Sequence, residues 1–237
     1  MNNSIGAKVP FIKKSLALYM VLSIAALWPA AVSGAENKAA APEAKPGIEA
    51  VKKDLKDSDH KKRRKALDEL SGARNAEKLP LLRESLGDED PVIRENAARL
   101  IGGSKDASAF KTLSDALAGA DKYARLGIME GLGDLGDKRA IKPLAGLLTA
   151  EDRNTRWKAA EVLGRLGGDA GVAPLLKAAR EDKDEFVKKA SVASLGKIGT
   201  LKAVAALNEL KAGGDKNLGV WAGNVLKSLA PNKVKVR

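Results

Sequence analysis

One pattern returns six times along this chain, and no other feature restricts its fold as much. Leu70, Ile101, Leu132, Leu163, Leu195 and Leu226 are spaced 31, 31, 31, 32 and 31 residues apart. Seven residues before each lies Arg63, Arg94, Arg125, Arg156, Lys188 or Gly219, and four residues before those lies Asp59, Asp90, Asp121, Asp152, Asp184 or Asp215. A further column runs Leu82, Leu113, Leu144, Leu175 and Leu207, preceded three residues earlier by Leu79, Phe110, Ile141, Val172 and Val204. Columns that stay in phase over this length describe one supersecondary unit, copied, whose apolar face is buried only when the next copy stacks on it. The single extra residue falls in the charged stretch from Arg180 to Asp184, where a loop absorbs it.

Each unit contains two helical patterns. In the first, apolar or small residues fall on one stripe, as in Thr155, Ala159, Ala160 and Leu163. The aspartate at its start is an N-cap, and Pro91 directly after Asp90 suits a first turn whose N–H groups have no intrahelical acceptor. Glycine closes the pattern in Leu132 to Gly136, Leu163 to Gly167 and Leu195 to Gly199. Asn75, Asp106, Asp137 and Thr200 then offer caps for a second helix, with Gly168 and Asp169 in their place in the fourth unit. Ile48, Val51 and Leu55 repeat the second-helix pattern alone, and Asp215 to Leu229 repeats the first alone. The expectation is all-α: about five helix pairs with a half-repeat helix at each end, about twelve helices over residues 46–230.

Composition agrees and removes much chemistry. Hydrophobic residues make up 44% of the chain and aromatics 3%, so the core must be built from Ala, Leu, Val and Ile in closely packed helices. There is no cysteine, which excludes disulfides, thiolate metal sites, a cysteine nucleophile and a lipidated N-terminal cysteine. The single histidine, His60, stands in the run His60 to Lys65, where neighbouring positive charge disfavours its protonated form. No carboxylate spacing singles out an acid–base pair, and the glycines end helices without forming a phosphate loop. No cofactor and no metal are expected.

The first 35 residues read as an export signal. Lys8, Lys13 and Lys14 precede a 13-residue apolar run from Leu16 to Trp28, which Pro29 breaks and which is too short to span a bilayer. Ser33 and Ala35 place cleavage before Glu36; retention as an N-terminal anchor is the alternative. Cleavage lowers the net charge from +12 to +9 by removing three lysines, and no later apolar run reaches spanning length. A periplasmic or extracellular location follows as an expectation. Residues 36–45 read as a flexible linker, and residues 231–237 as a basic tail.

The stretches from Asp152 to Gly168 and from Asp121 to Asp137 closely match Asp-x-x-x-Arg-x-x-Ala-Ala-x-x-Leu-Gly-x-Leu-Gly-Asp, and so resemble the HEAT repeat. They are most similar to the short HEAT-like type of the phycobilisome lyases. The resemblance implies a right-handed, armadillo-like α-solenoid, with first helices outside and second helices lining a concave groove, and it implies no reaction. At helix separations of about 8–10 Å, five pairs make a rod on the order of 50 Å long.

Candidate sites follow from that architecture. Asp90, Arg94, Asp121, Arg125, Asp152 and Arg156 read as a structural ladder joining neighbouring units, since a core-facing arginine must be paired. Along the groove ridge, Lys111, Asp115, Lys142, Lys177 and Glu209 present mixed charge suited to a protein partner. Lys61, Lys62, Arg63, Arg64 and Lys65 form the densest basic cluster, suited to an anionic envelope surface. Leu126 and Trp157 share a column at the edge of the buried stripe and are candidates for an apolar patch. These readings favour an exported, non-catalytic scaffold that binds a protein in its groove. An electrostatic binder of anionic envelope material through the basic N-terminal third is the alternative, and a lyase-like or glycosylase-like enzyme rests on analogy alone. Export and the scarcity of aromatics disfavour nucleic acid.

Overall fold

Aspartate starts every first helix of the chain. In the computed structural model, which describes residues 47–229, the side chains of Asp59, Asp90, Asp121, Asp152, Asp184 and Asp215 each accept backbone N–H bonds from the turn that follows. The helices they open are α2 (His60–Glu69), α4 (Pro91–Gly103), α6 (Lys122–Leu135), α8 (Arg153–Leu166), α10 (Glu185–Ile198) and α12 (Lys216–Ser228). Between them run the second helices α1 (Ile48–Asp54), α3 (Asn75–Ser85), α5 (Ala109–Gly119), α7 (Ile141–Gly146), α9 (Val172–Glu181) and α11 (Leu201–Ala212). Twelve α-helices and no β-strand are present among the described residues. The molecule is an all-α solenoid. The export signal, the linker and the basic tail read from the sequence lie outside the described residues.

The second helices start less cleanly than the caps suggest. Thr200 caps α11 through Ala203 N–H, but Asp106 bonds Ser108 and Asp137 opens a short 3₁₀ turn, Lys138–Ala140, before α7. Asn75 does not cap α3; it is the first helical residue, and its amide donates to the Ser104 carbonyl of the next unit at 3.1 Å. The fourth unit has a 3₁₀ turn, Asp169–Gly171, before α9. Pro143 and Pro174 are tolerated because each is the third residue of its helix, where a missing N–H breaks no intrahelical bond.

The core follows the columns. Leu82, Leu113, Leu144, Leu175 and Leu207 are wholly buried, as are Leu70, Ile101, Leu132, Leu163 and Leu195; only Leu226, on the last helix, is partly open. First helices stack on first helices in sequence order, α4 on α6, α6 on α8, α8 on α10 and α10 on α12. Small residues bring them together. A methyl group on Gly127 of α6 would lie 2.6 Å from Glu95 Cα of α4, and one on Gly164 of α8 would lie 2.6 Å from Ser194 Cβ of α10. Two kinds of glycine therefore share the Leu-Gly-x-Leu-Gly pattern. The first, as in Gly133, Gly164 and Gly196, is a contact surface inside the helix; the second, as in Gly136 and Gly199 with φ of 76° and 63°, is the left-handed terminus. In the second unit Lys105 occupies that terminal position at φ 56°.

Candidate functional site

Arg63, Arg94 and Arg156 join successive units but Arg125 does not, and for Arg63 and Arg156 the carboxylate is not the cap. Arg63 is buried and donates to both oxygens of Asp88, at 2.9 and 3.0 Å, and to Glu89 at 2.9 Å. Arg156 is likewise buried and donates to both oxygens of Asp182 at 2.7 and 3.1 Å, and to the carbonyls of Ala150 and Glu151. Asp88 and Asp182 lie two residues before a cap and accept the cap's own N–H, each at 2.8 Å, which aims the carboxylate back at the preceding unit. The bidentate pairing raises the pKa of Arg63 and Arg156, against the opposing effect of burial.

Where that aspartate is missing, the ladder changes. Gly119 stands two before Asp121, so Arg94 reaches Asp121 itself at 2.5 Å, and its Nε is buried without a partner. Ala150 stands two before Asp152, and Arg125 finds only the Ala120 carbonyl, at 2.7 Å. Asp90 is drawn to the preceding unit by Arg64 at 2.6 Å. Burial opposes ionisation of Asp90 and Asp121, yet backbone N–H bonds and their arginines outweigh it and hold both below the ordinary carboxylate value. Asp152 is held low by the N–H and hydroxyl of Thr155.

These arginines have a second role in the geometry, because they floor clefts that recur between successive second helices. The α3–α5 cleft encloses about 1140 Å³ and is lined by Arg83, Lys111, Thr112 and Asp115 over Arg94 and Asp121. The α5–α7 cleft, about 600 Å³, has Leu117, Pro143 and Leu147 over Arg125 and Asp152. The α7–α9 cleft, about 500 Å³, has Leu148, Pro174 and Lys177 over Arg156 and Asp182. Each therefore offers apolar walls, rim charges and a guanidinium at its base.

The groove candidates divide between these clefts and the open surface. Lys111 and Asp115 line the α3–α5 cleft and bridge each other at 2.6 Å; Lys177 lines the α7–α9 cleft, 3.9 Å from Glu181. Lys142 is exposed on α7 and Glu209 on α11, where it pairs with Arg180 at 2.5 Å; neither lines a described cleft. The basic cluster is smaller than its sequence. Arg63 is consumed by the ladder, Arg64 by Asp90 and Lys62 by Asp57 at 2.9 Å, which leaves Lys61 and Lys65 exposed with no ion-pair partner among the described residues. A charge run at a helix start meets the acids of its neighbours' loops, which spacing along one helix does not reveal.

Leu126 and Trp157 do not form a shared surface patch. Leu126 is packed on the core, whereas Trp157 is 40% exposed with the Lys158 ammonium 5.0 Å from its ring centre. The exposed apolar residues that spacing did not single out are Val92, Tyr123 and Phe186, each two residues after a cap, Val220 in the column of Trp157, and Leu201 at the start of α11. Three of them in one column and two large residues in the other, aligned in register, carry the signal.

A family model of HEAT repeats matches residues 48–125 and 110–196. No curated protein sequence matches the chain. Among solved structures, the complex of CpcE and CpcF of phycocyanin lyase from Nostoc sp. PCC7120 is similar at 23% identity, covering 80% of this chain and 79% of that one, with a TM-score of 0.54. A structural-genomics engineered protein gives 22% identity over 77% of this chain and 96% of its own, TM-score 0.47. A designed armadillo repeat protein gives 17% identity over 78% and 100%, TM-score 0.45. With the family model spanning well over half of the sequence and the stacked helix pairs observed, the chain belongs to the HEAT-repeat family.

Proposed function

We propose that this protein is an exported, non-catalytic scaffold that holds an extended segment of a protein partner across the clefts between its second helices. The observation that carries the reading is recurrence: the same construction, apolar walls over a guanidinium floor, appears in three successive inter-repeat clefts. A segment lying across them would make a similar contact at each rung, which turns modest local affinities into one tight interaction. Arg125 is the floor group best placed to receive a partner's carboxylate, since among the described residues it bonds only the Ala120 carbonyl. Among the described residues, the carboxylates displaced from their ordinary pKa, among them Asp90, Asp121, Glu130 and Asp152, are displaced downward, the reverse of what a general acid needs. Export rests on the N-terminal pattern of lysines, apolar run and small residues.

The test is capture from the organism's envelope fraction by the wild-type protein and by two variants, Arg125→Ala and the triple change Lys111→Glu, Lys142→Glu and Lys177→Glu. A partner retained by the wild type and lost by both variants supports the reading. Undiminished capture of every partner by both variants rejects it.

A further inference from the structure

The first helices, which supply the guanidinium groups of those clefts, carry a second surface of their own. Val92 on α4, Tyr123 on α6, Trp157 on α8, Phe186 on α10 and Val220 on α12 are each exposed, between 39% and 70%, so five consecutive rungs each present one large apolar side chain. They lie two or five residues after their caps, within about 60° of arc on the helix at about 100° per residue. Lys122, Arg153 and Lys216, each directly after a cap, are exposed on the adjoining arc. Cations stand beside three of the rings: Lys122 lies 4.8 Å from the Tyr123 ring centre, Arg153 6.0 Å from Phe186 of the next unit, and Lys158, itself paired with Glu130 and Glu161, 5.0 Å from Trp157.

Charge separates this layer from the other. The first helices expose eleven Lys and Arg residues against two acids, Asp68 and Glu185; the second helices expose eight basic and five acidic residues. The first-helix face is therefore strongly positive with interspersed aromatics, whereas the second-helix face is mixed. None of the five apolar residues lines the clefts described above. Single Trp, Tyr and Phe side chains spaced one repeat apart, each flanked by cations, match the needs of a broad anionic interface. The rings sit at headgroup depth while Lys and Arg meet phosphate.

We propose that the outer face of the first helices docks on the surface of an anionic phospholipid bilayer, through Tyr123, Trp157 and Phe186 with Lys122, Arg153 and Lys216 around them. The helices lie flat on the bilayer and none enters it; no helix among the described residues is long and apolar enough to cross a membrane. The two layers then divide the work, one holding the membrane and the other a protein. Neither depends on the other.

The experiment uses the full chain with Trp28→Phe and Trp221→Phe, so that Trp157 is its sole tryptophan. Its fluorescence is followed as vesicles with brominated acyl chains are added, made of phosphatidylcholine alone or mixed with phosphatidylglycerol. Because Trp157 reports its own depth, the result reads this face even if the N-terminal apolar segment binds lipid. The expected result is quenching by the phosphatidylglycerol vesicles only, relieved by high salt. Replacement by Glu in the triple variant Lys122→Glu, Arg153→Glu and Lys216→Glu should raise the lipid needed for half-quenching on the order of 100-fold, about fivefold for each basic side chain removed. These are first-turn positions, where an acid suits the helix dipole, so the variant should fold; salt dependence of the parent keeps the test decisive if it does not. The cleft triple variant at Lys111, Lys142 and Lys177 should be quenched like the parent, which separates failure here from failure of the cleft reading. Unquenched Trp157 in phosphatidylglycerol vesicles, equal quenching of the Lys122/Arg153/Lys216 variant, or a response to a DNA or RNA oligonucleotide without one to vesicles would overturn the proposal.

Discussion

Adding one methyl group at Gly127 should destabilise this protein, although the same change inside an isolated helix is favourable. Gly127 is buried in α6, and a Cβ there would lie 2.6 Å from Glu95 Cα and 2.8 Å from the Glu95 carbonyl oxygen of α4. Those atoms are backbone and cannot rotate aside, so α4 and α6 must separate. Helix propensity alone gains about 1 kcal/mol on Gly→Ala, while overpacking a tight interface costs about 1–3 kcal/mol and more where backbone must move. The close approach puts this site at the upper end, for a net loss of about 2 kcal/mol. For a chain of this size that corresponds to a melting temperature lower by about 4–8 °C. The matching control is Gly223 in α12, where a Cβ meets nothing within 4 Å; Gly223→Ala should gain up to about 1 kcal/mol. Urea midpoints and thermal melts followed by circular dichroism give both values. If Gly127→Ala is as stable as the parent, the backbone-to-backbone packing of the first helices is wrong.

Other consequences can be measured in the same way. Arg156→Ala should cost about 3–5 kcal/mol by stranding the buried Asp182 carboxylate, and Arg125→Ala clearly less, because no carboxylate depends on it. Lys105→Gly should raise stability by about 1 kcal/mol, since Lys105 holds the left-handed terminus that the three following units give to Gly136, Gly167 and Gly199; a lower urea midpoint would contradict this. Acid should weaken the fold through its caps. Asp90, Asp121 and Asp152 have folded pKa values below the ordinary 3.8, so their contribution is complete above that value and is lost as pH falls through the lower folded ones. Stability measured by urea should accordingly be flat in these groups from neutrality to about pH 5 and decline below about pH 4; a decline confined to pH 5–7 would point to other groups.

The helices and their stacking were legible because they depend on period. Every unit repeats an apolar stripe, an aspartate cap and a leucine column, and these are local in sequence. Contacts between units were less so. That Arg63 and Arg156 pair with Asp88 and Asp182 depends on how the loop before each cap turns its side chain back, which column spacing does not encode. A signal existed nonetheless. Aspartate stands two before the cap at Asp57, Asp88 and Asp182, and small residues stand there at Gly119, Ala150 and Gly213, and that alternation decides which arginines are fully paired. The first glycine of each Leu-Gly-x-Leu-Gly run was read as a terminus because glycine ends helices; its packing role shows only against the neighbouring helix. The candidate patch at Leu126 and Trp157 fared worst. Leu126 is partly buried against the core and Trp157 is exposed, although the two share a column.

The central claim is that near-identical units stack in regular order, and distances along the stack test it most directly. The chain has no cysteine, so spin labels can be placed pairwise at exposed positions two residues after the caps: Val92 as the fixed site, with Asn154, Phe186 or Asn217 as the second. Pulsed electron spin resonance should give narrow distributions whose mean grows by a nearly constant step, about 10 Å for each added unit. A mean that does not increase with the number of intervening units, or distributions too broad to order, would contradict it.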